Sequence, residues 1–422
     1  MKLDVWLHGI HCGVLEIQAE RFCFGYLESY VAAKGAALSL SMPLRLEPWG
    51  DGQAFPFFEN LLPEAGLRTL VAENLGTDIH NITYLLERLG GEVAGAVSLL
   101  PAGAELPKQD EQPLGRALDE DTLGVLLAKL ETQPFLATRD AGPRLSLAGA
   151  QQKLPVLIRD GALYVPWAQA SSHLLKPPSS RFLALPENEF VCMRAAALAG
   201  LHVPPVQLRP YRDFNGREQF CLQVQRYDRV LNPQGQMQRL HQEDMCQALA
   251  YASGRKYEAD GGPGFAALFQ VIRTHTRMPA KDLAELLRRV FFNLLIGNAD
   301  AHAKNFSVLY HASRPDLAPA YDLVATMVYP QLDNTLAMKV ATAARIEGVT
   351  ARVLDDFGLM TGTAPRRMRG ALVQFLARAV QALNQVSTEL EAQCLPDEAV
   401  VMQRLRLVVE RHHQILCQAL MG

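Results

Sequence analysis

The sequence predicts an α+β protein, in which a small α+β module precedes a mainly β lobe and a mainly helical lobe. Three observations predict this. Residues 1–105 open on short alternating segments, the middle of the chain holds a strand pair around Asp160-Gly161, and from about Gln242 apolar residues recur mostly at helical spacing.

The elements follow in order. "KLDVWLHG", "GVLEIQ" and "RFCFGYL" read as strands of a small antiparallel sheet. "FPFFENLLPEAGLRTLVAENLG" turns helical, with Leu67, Leu70 and Val71 on one face and Gly76 as a C-cap. "NITYLLERLGGEVAGAVSLLP" gives a helix, a Gly-Gly break and a short strand. Residues 101–118, rich in proline, glycine and charge, read as a linker or exposed loop. "DEDTLGVLLAKLE" is a capped amphipathic helix with Leu123, Leu126, Leu127 and Leu130 on its stripe.

"KLPVLIRDGALYVP" is a hairpin about Asp-Gly, because that pair tolerates the positive φ of a tight turn. "HLLKPP" is a strand ended by proline, "ENEFVCMRAAALAG" a helix closed by Gly200, and "FCLQVQRYDRV" another strand. The last helix runs from roughly Asp397 to Leu420. The expected blocks are 1–105, 106–228 and 229–422. A small β lobe before a larger helical one is also the order found in kinases, an analogy of fold alone.

Composition narrows the class. The 422 residues are 49% apolar and 20% charged, enough for a large core, and 41 basic against 44 acidic residues leave a net charge of −3. A nucleic-acid binder of global basic charge is excluded, so any basic contact surface is local. Seven cysteines without a CxxC pair suggest neither a disulfide framework nor a zinc site. "MKLDVWLHGIHCG" lacks the apolar run of a signal peptide, and no stretch reads as a membrane span, so a reducing cytoplasm is the expected location.

Chemistry concentrates in "FNLLIGNADAHAKNFSVLY". Asp300 and Asn305 are spaced D-x-x-x-x-N. Phosphoryl transfer needs a carboxylate to take the proton of an attacking hydroxyl and an oxygen ligand for magnesium nearby, and one short loop supplies both. Both residue types also favour plain turns. Asp322, in "PAYDL", offers the second hard oxygen donor that magnesium prefers. The apolar stripe of Leu283, Leu286, Leu287, Val290 and Leu294, ended by Gly297, would anchor this loop. Asn298 is expected to cap the turn and His302 to prop the loop from within, while Lys304 would meet either a phosphate or solvent.

Upstream, Lys176 is placed to reach phosphates as a point charge, although a strand-end lysine accounts for it alone. Glu187 or Glu189 would pair with it or simply favour a helix start. The small residues of "RLSLAGAQQK" allow backbone N–H groups to approach phosphate, but the stretch matches neither common nucleotide motif. "QVQRYDR" would link the lobes. Backbone groups near Gln225 and Tyr227 would then read an adenine edge, with Tyr227 against the ring and Asp228 accepting a ribose hydroxyl; an edge strand with a turn explains it equally.

Taken together and in this order, "LSLAGAQQK", "HLLKPP", "ENEFVCMRAAALAG", "VQRYDR", "HQEDMCQALA", "GNADAHAKNFSVLY" and "LAPAYDLVAT" resemble the HipA family of bacterial serine/threonine kinases, toxins of type II toxin–antitoxin modules. "FFENLLPEAGLR" and "GGEVAGAVSLLP" resemble that family's N-terminal subdomain, so the resemblance covers nearly the whole chain. It implies a two-lobed protein-kinase-like fold using ATP and Mg2+. It further implies Asp300 as catalytic base, Asn305 and Asp322 as magnesium ligands and Lys176 as the ATP-phosphate lysine. Leu147, Ala148, Gly149, Ala150, Gln151, Gln152 and Lys153 would form the phosphate-binding loop. Ser146 would be the autophosphorylated serine that switches the enzyme off.

The implied substrate is a protein, of which an aminoacyl-tRNA synthetase is the known type, with arrest of translation and growth as the result. The implied partner is a HipB-like helix-turn-helix antitoxin, with operator DNA reached through or beside it; Arg366, Arg367 and Arg369 would touch DNA phosphates or form a solvated helix face. The chain departs from the family pattern at Ala301, where a larger polar residue is common, and at Gln225, where an acid is common. A small-molecule phosphotransferase and a non-catalytic co-repressor module remain the competing functions. The serine-bearing loop argues against the first. Retention of Lys176, Asp300, Asn305 and Asp322 together argues against the second.

Overall fold

The computed structural model describes residues 1–107, 114–137, 151–167, 169–311, 314–393 and 395–422. It forms two compact units: residues 1–177, 209–253 and 309–313 in one, and 178–208, 254–308 and 314–422 in the other. These units do not follow the three sequence blocks one for one. The helix Leu185–Leu198 falls in the helical unit, and the chain stays in the strand-rich unit past "QVQRYDR" as far as Ser253.

Among the described residues, the first unit holds a four-stranded sheet, a six-stranded sheet and a short antiparallel pair, Arg229–Leu231 with Met237–Arg239. Strands β1 (Lys2–Leu7), β2 (Ile10–Gln18), β3 (Arg21–Tyr26) and β4 (Val97–Pro101) form the first sheet in the order β3-β2-β1-β4, and the β3-β2, β2-β1 and β1-β4 pairs are antiparallel. Leu3, Val5, Leu15, Phe22 and Phe24 are buried in one core with Phe57 and Phe58 of the helix Asp51–Glu59 and Leu85, Leu86 and Leu89 of the helix Ile82–Leu89. Asn81 caps the latter by accepting the Tyr84 N–H, and Gly76 ends the helix Ala65–Leu75 at φ 69°.

Strands β5 (Arg116–Leu118), β6 (Leu154–Arg159), β7 (Ala162–Val165), β8 (His173–Lys176), β9 (Val206–Arg212) and β10 (Glu218–Gln225) form the second sheet, ordered β5-β7-β6-β8-β10-β9. The β6–β7 turn has φ 51° at Asp160 and 80° at Gly161, as the Asp-Gly pair predicted. The helix Glu120–Lys129 starts at Asp119, whose side chain accepts the Thr122 N–H at 2.8 Å, and sets Leu123 and Leu127 in a core with Leu154, Val156, Leu163 and Leu175.

One expectation is corrected here. The stretch 101–118 is not all loop, since Arg116–Leu118 pairs with Val165–Leu163. Gly115 makes this pairing possible: a Cβ there would stand 2.1 Å from the Val165 carbonyl oxygen.

The second unit is mainly helical. In the helix Pro279–Ile296, Leu286, Leu287, Val290 and Leu294 are buried. The long helices Pro365–Glu391 and Pro396–Met421 pack on each other, and both also contact Leu185–Leu198 and Pro279–Ile296. Among the described residues, no helix is long and apolar enough to cross a membrane.

Candidate active site

The loop around Asp300 is built from the end of the helix Pro279–Ile296. Gly297 takes φ 68°, its N–H bonds the Leu294 carbonyl at 3.2 Å, and the Asn298 N–H bonds the Asn293 carbonyl at 2.9 Å. This is a Schellman closure, which satisfies the last carbonyls and turns the chain sharply. The Asn298 side chain then faces both ways. Its Nδ2 donates to Asn293 Oδ1 at 2.8 Å and its Oδ1 accepts the Asp300 N–H at 3.1 Å, so Asn298 does cap the turn.

Asp300 itself is exposed. Its carbonyl accepts the His302 N–H at 2.8 Å and the Asn305 Nδ2 at 3.0 Å. Asn305 is thereby held against Asp300 with its side-chain oxygen left as an acceptor. His302 is buried, as expected of a prop, and meets Tyr257 edge-on at 5.3 Å. Lys304 is 5% exposed, which removes a purely solvent-facing role.

Asp322 is tied to the same loop from both sides. Its carbonyl accepts Asn298 Nδ2 at 3.4 Å, and its neighbour Tyr321 donates to the Lys304 carbonyl at 2.6 Å. Asp322 is half-buried with φ 53°, a left-handed conformation that aspartate tolerates better than most residues. The donor set of Asn305 and Asp322 is one amide oxygen and one carboxylate, hard ligands that fit magnesium, which keeps waters and takes phosphate oxygens to complete its shell. Among the described residues no group of three or more His, Cys, Asp or Glu is arranged to hold a metal by itself.

Sequence reasoning missed Tyr257. Its hydroxyl donates to Asp300 Oδ1 at 2.7 Å. The only trace in the sequence was an aromatic in the polar stretch "GRKYEADGG", which reads as surface.

In the strand-rich unit, Lys176 ends β8 and is 4% exposed. The register Leu154↔Leu175 brings Lys153, one residue ahead of β6, level with Lys176; Lys153 is also buried. Gln151 and Gln152 are half-buried, whereas Ser146, Leu147, Ala148, Gly149 and Ala150 lie outside the described residues. Gln225 is exposed at the end of β10, opposite His173, and the half-buried Tyr227 donates its hydroxyl to Gln242.

The ribose role expected of Asp228 is corrected. Asp228 is 3% exposed, and its oxygens are taken by Arg226 Nε at 3.0 Å, Arg226 Nη2 at 2.8 Å, Arg229 Nη1 at 2.8 Å and the Gly95 N–H at 2.7 Å. It belongs to a buried ion cluster. Glu92 Oε1 accepts from Arg226 at 3.0 Å, Arg229 at 2.8 Å and Ser171 Oγ at 2.9 Å. Arg239 closes the cluster, donating to the Gly95 carbonyl, Ser98 Oγ and the Val97 carbonyl. Burial opposes ionisation of Glu92, but Arg229, Arg239 and Arg226 outweigh it and hold its carboxyl at about 2. Asp228 is held low in the same way, by Arg226 and Arg229 against burial.

Glu187 is buried in the helical unit, and burial, with Glu398 adding, pushes its carboxyl up to about 7. Arg366 and Arg367 are exposed, while Arg369 pairs with Asp355 at 2.8 Å.

With this geometry in view, two family models match the chain: the HipA N-terminal domain over residues 3–100 and the HipA-like C-terminal domain over residues 145–383. The chain belongs to the HipA family. The HipA resemblance extends to named relatives. The Sinorhizobium fredii protein named "Putative kinase Y4mE" is 41% identical over 369 residues, 86% of each chain. The serine/threonine-protein kinase toxin HipA of Shewanella oneidensis is 30% identical over 407 residues, covering 92% of this chain and 89% of the relative. Among solved structures, the Shewanella oneidensis toxin–antitoxin complex of HipA, HipB and operator DNA superposes with a TM-score of 0.82 at 29% identity, covering 100% of this chain and 99% of that one. The HipA fold and its two-lobed, kinase-like α+β class are therefore those of this protein.

Proposed function

We propose that this protein is an ATP- and Mg2+-dependent serine/threonine protein kinase acting as the toxin of a type II toxin–antitoxin pair. The observation that carries the reading is the loop that presents Asp300 exposed while tying Asn305 and the Asp322 segment to it. Asp300 takes the proton of the acceptor hydroxyl. Asn305 and Asp322 would hold magnesium, which would supply charge neutralisation at the phosphoryl group. Lys176 contacts ATP phosphates, with Lys153 and residues 147–152 as the phosphate-binding stretch, and Gln225 and Tyr227 serve the base. Ser146 is the autophosphorylation site that turns the enzyme off, because a dianion beside ATP phosphates is repelled. Asp228 has no part in nucleotide binding in this reading.

The partner is a HipB-like antitoxin, by similarity to the Shewanella complex, with operator DNA contacted through or beside it. The substrate is a protein, and an aminoacyl-tRNA synthetase is the first to test. The cytoplasm is where all of these partners meet.

The test incubates the purified protein with labelled ATP and magnesium, alone and with cell extract, beside Asp300→Asn. Label on Ser146 and on one extract protein is expected, with a loss on the order of 10²–10⁴ in rate for the variant. Label on small molecules alone would instead assign a small-molecule phosphotransferase. No label, with intact DNA binding alongside the antitoxin, would assign a co-repressor. Wild-type rates in Asp300→Asn would remove Asp300 as the base.

A further inference from the structure

We propose that Tyr257 is a positioning residue for Asp300, an inference that rests on the assignment of Asp300 as the base. An exposed aspartate has two free χ angles and presents either oxygen to a substrate. Here one oxygen is claimed: the Tyr257 hydroxyl donates to Oδ1 at 2.7 Å. The other oxygen is thereby aimed for the acceptor hydroxyl.

Tyr257 is itself held by contacts that bind its segment to the catalytic loop. The Glu258 N–H bonds the Ala337 carbonyl at 3.0 Å, the Ala337 N–H bonds the Ala299 carbonyl at 2.9 Å, and the Ala303 N–H bonds the Lys256 carbonyl at 3.4 Å. Glu258 Oε2 accepts the Lys339 N–H at 2.7 Å. Around the ring, His302 stands edge-on at 5.3 Å and the Lys256 ammonium lies 5.0 Å from the centroid. The phenol is therefore placed by backbone bonds on both sides of Asp300, and a rigid supporting group of this kind is what precise chemistry requires.

The chemical step leaves Tyr257 unchanged. The acceptor O–H bond breaks, its proton passes to Asp300, and its oxygen bonds the γ-phosphorus as the ADP oxygen leaves. Tyr257 keeps its own proton throughout.

The experiment is a double-mutant cycle of Tyr257→Phe and Asp300→Asn, read as kcat and as KM for ATP, with mass spectrometry of the phosphorylated protein. Phenylalanine keeps the ring against His302 and Lys256 and removes only the hydroxyl. Tyr257→Phe is expected to melt as wild type and to lose roughly ten- to hundredfold in kcat with KM for ATP unchanged. In the Asp300→Asn background it should add no further loss, because the group it orients is gone. Wild-type kinetics, a change in KM alone, an equal loss in both backgrounds, or phosphate found on Tyr257 would each overturn the proposal. If Asp300→Asn itself retained the wild-type rate, the assignment of Asp300 as the base would fail instead, and the two failures are distinguishable.

Discussion

Arg226 donates to Glu92 at 3.0 Å although 134 residues separate them, and both side chains are enclosed. Breaking a buried pair by deleting one partner leaves an uncompensated charge, so Arg226→Met should cost ~3–5 kcal/mol. Denaturant unfolding of the variant checks this. A cost below about 1 kcal/mol would show that Arg229 and Arg239 suffice to neutralise Glu92 and Asp228.

The acidic side of the stability profile follows from the same cluster. Glu92 has a folded value of about 2, below its unfolded one, so its contribution is present above the ordinary carboxylate range near 4.5 and disappears as pH falls toward about 2. Glu92→Gln should be less stable than wild type at pH 7, with the difference shrinking through that window. Melting temperature against pH for the two proteins measures it.

Glu187 and Glu243 act in the opposite sense. Burial pushes both up to about 7, with Glu398 adding for Glu187; for Glu243, bonds from Ser39, Tyr310 and the Leu40 N–H work against burial. Their contribution is complete below about 4.5 and is lost as pH rises through about 7, at up to ~1.4 kcal/mol per pH unit for each group. Glu187→Gln should flatten this decline. An unchanged slope would mean that Glu187 ionises freely.

Gly297→Ala tests the helix end that launches the loop carrying Asp300. Its φ of 68° is left-handed, and a Cβ would meet Val408 Cγ1 at 2.9 Å and Met327 Cβ at 3.0 Å. A loss of ~1–3 kcal/mol is expected from backbone strain and contact. Phosphoryl transfer should fall with it, because Asn298 and Asp300 move together. Full activity at reduced stability would show that the loop is positioned without this turn.

Chelation should abolish labelling from ATP, and added magnesium should restore it. Asp322→Asn keeps the shape and removes the charge, so its activity should require a higher magnesium concentration than wild type. A titration of rate against magnesium decides; superimposable curves would exclude Asp322 as a ligand.

Much of this fold was legible in the chain. The Asp160-Gly161 hairpin, the Asp119 and Gly76 caps and the final helix each depend on neighbours a few residues away, which local patterning records. The strand Arg116–Leu118 was hidden because three residues in a proline- and glycine-rich stretch carry no periodicity, and only the pairing with β7 makes them a strand. Asp300, Asn305 and Asp322 were singled out from spacing and chemistry, and the structure ties Asn305 and the Asp322 segment to the loop that carries Asp300. Tyr257 was not singled out, since its contact spans 43 residues. Asp228 was misassigned for a related reason. Arg226 and Arg229 beside it look like solvated charges in sequence, and Glu92, which turns them inward, is far away along the chain.

The ion cluster also bears on how such chains diversify. Glu92 falls within the stretch matched as the HipA N-terminal domain, whereas Arg226, Arg229 and Arg239 fall within the stretch matched as the C-terminal one. The two stretches are separable as sequence but share one set of mutually neutralising charges. A chimera that took its first hundred or so residues from a donor without a matching acid should be destabilised, because the arginines would keep their charge without Glu92. The two segments are thus coupled by electrostatics, although the family models divide the chain between them.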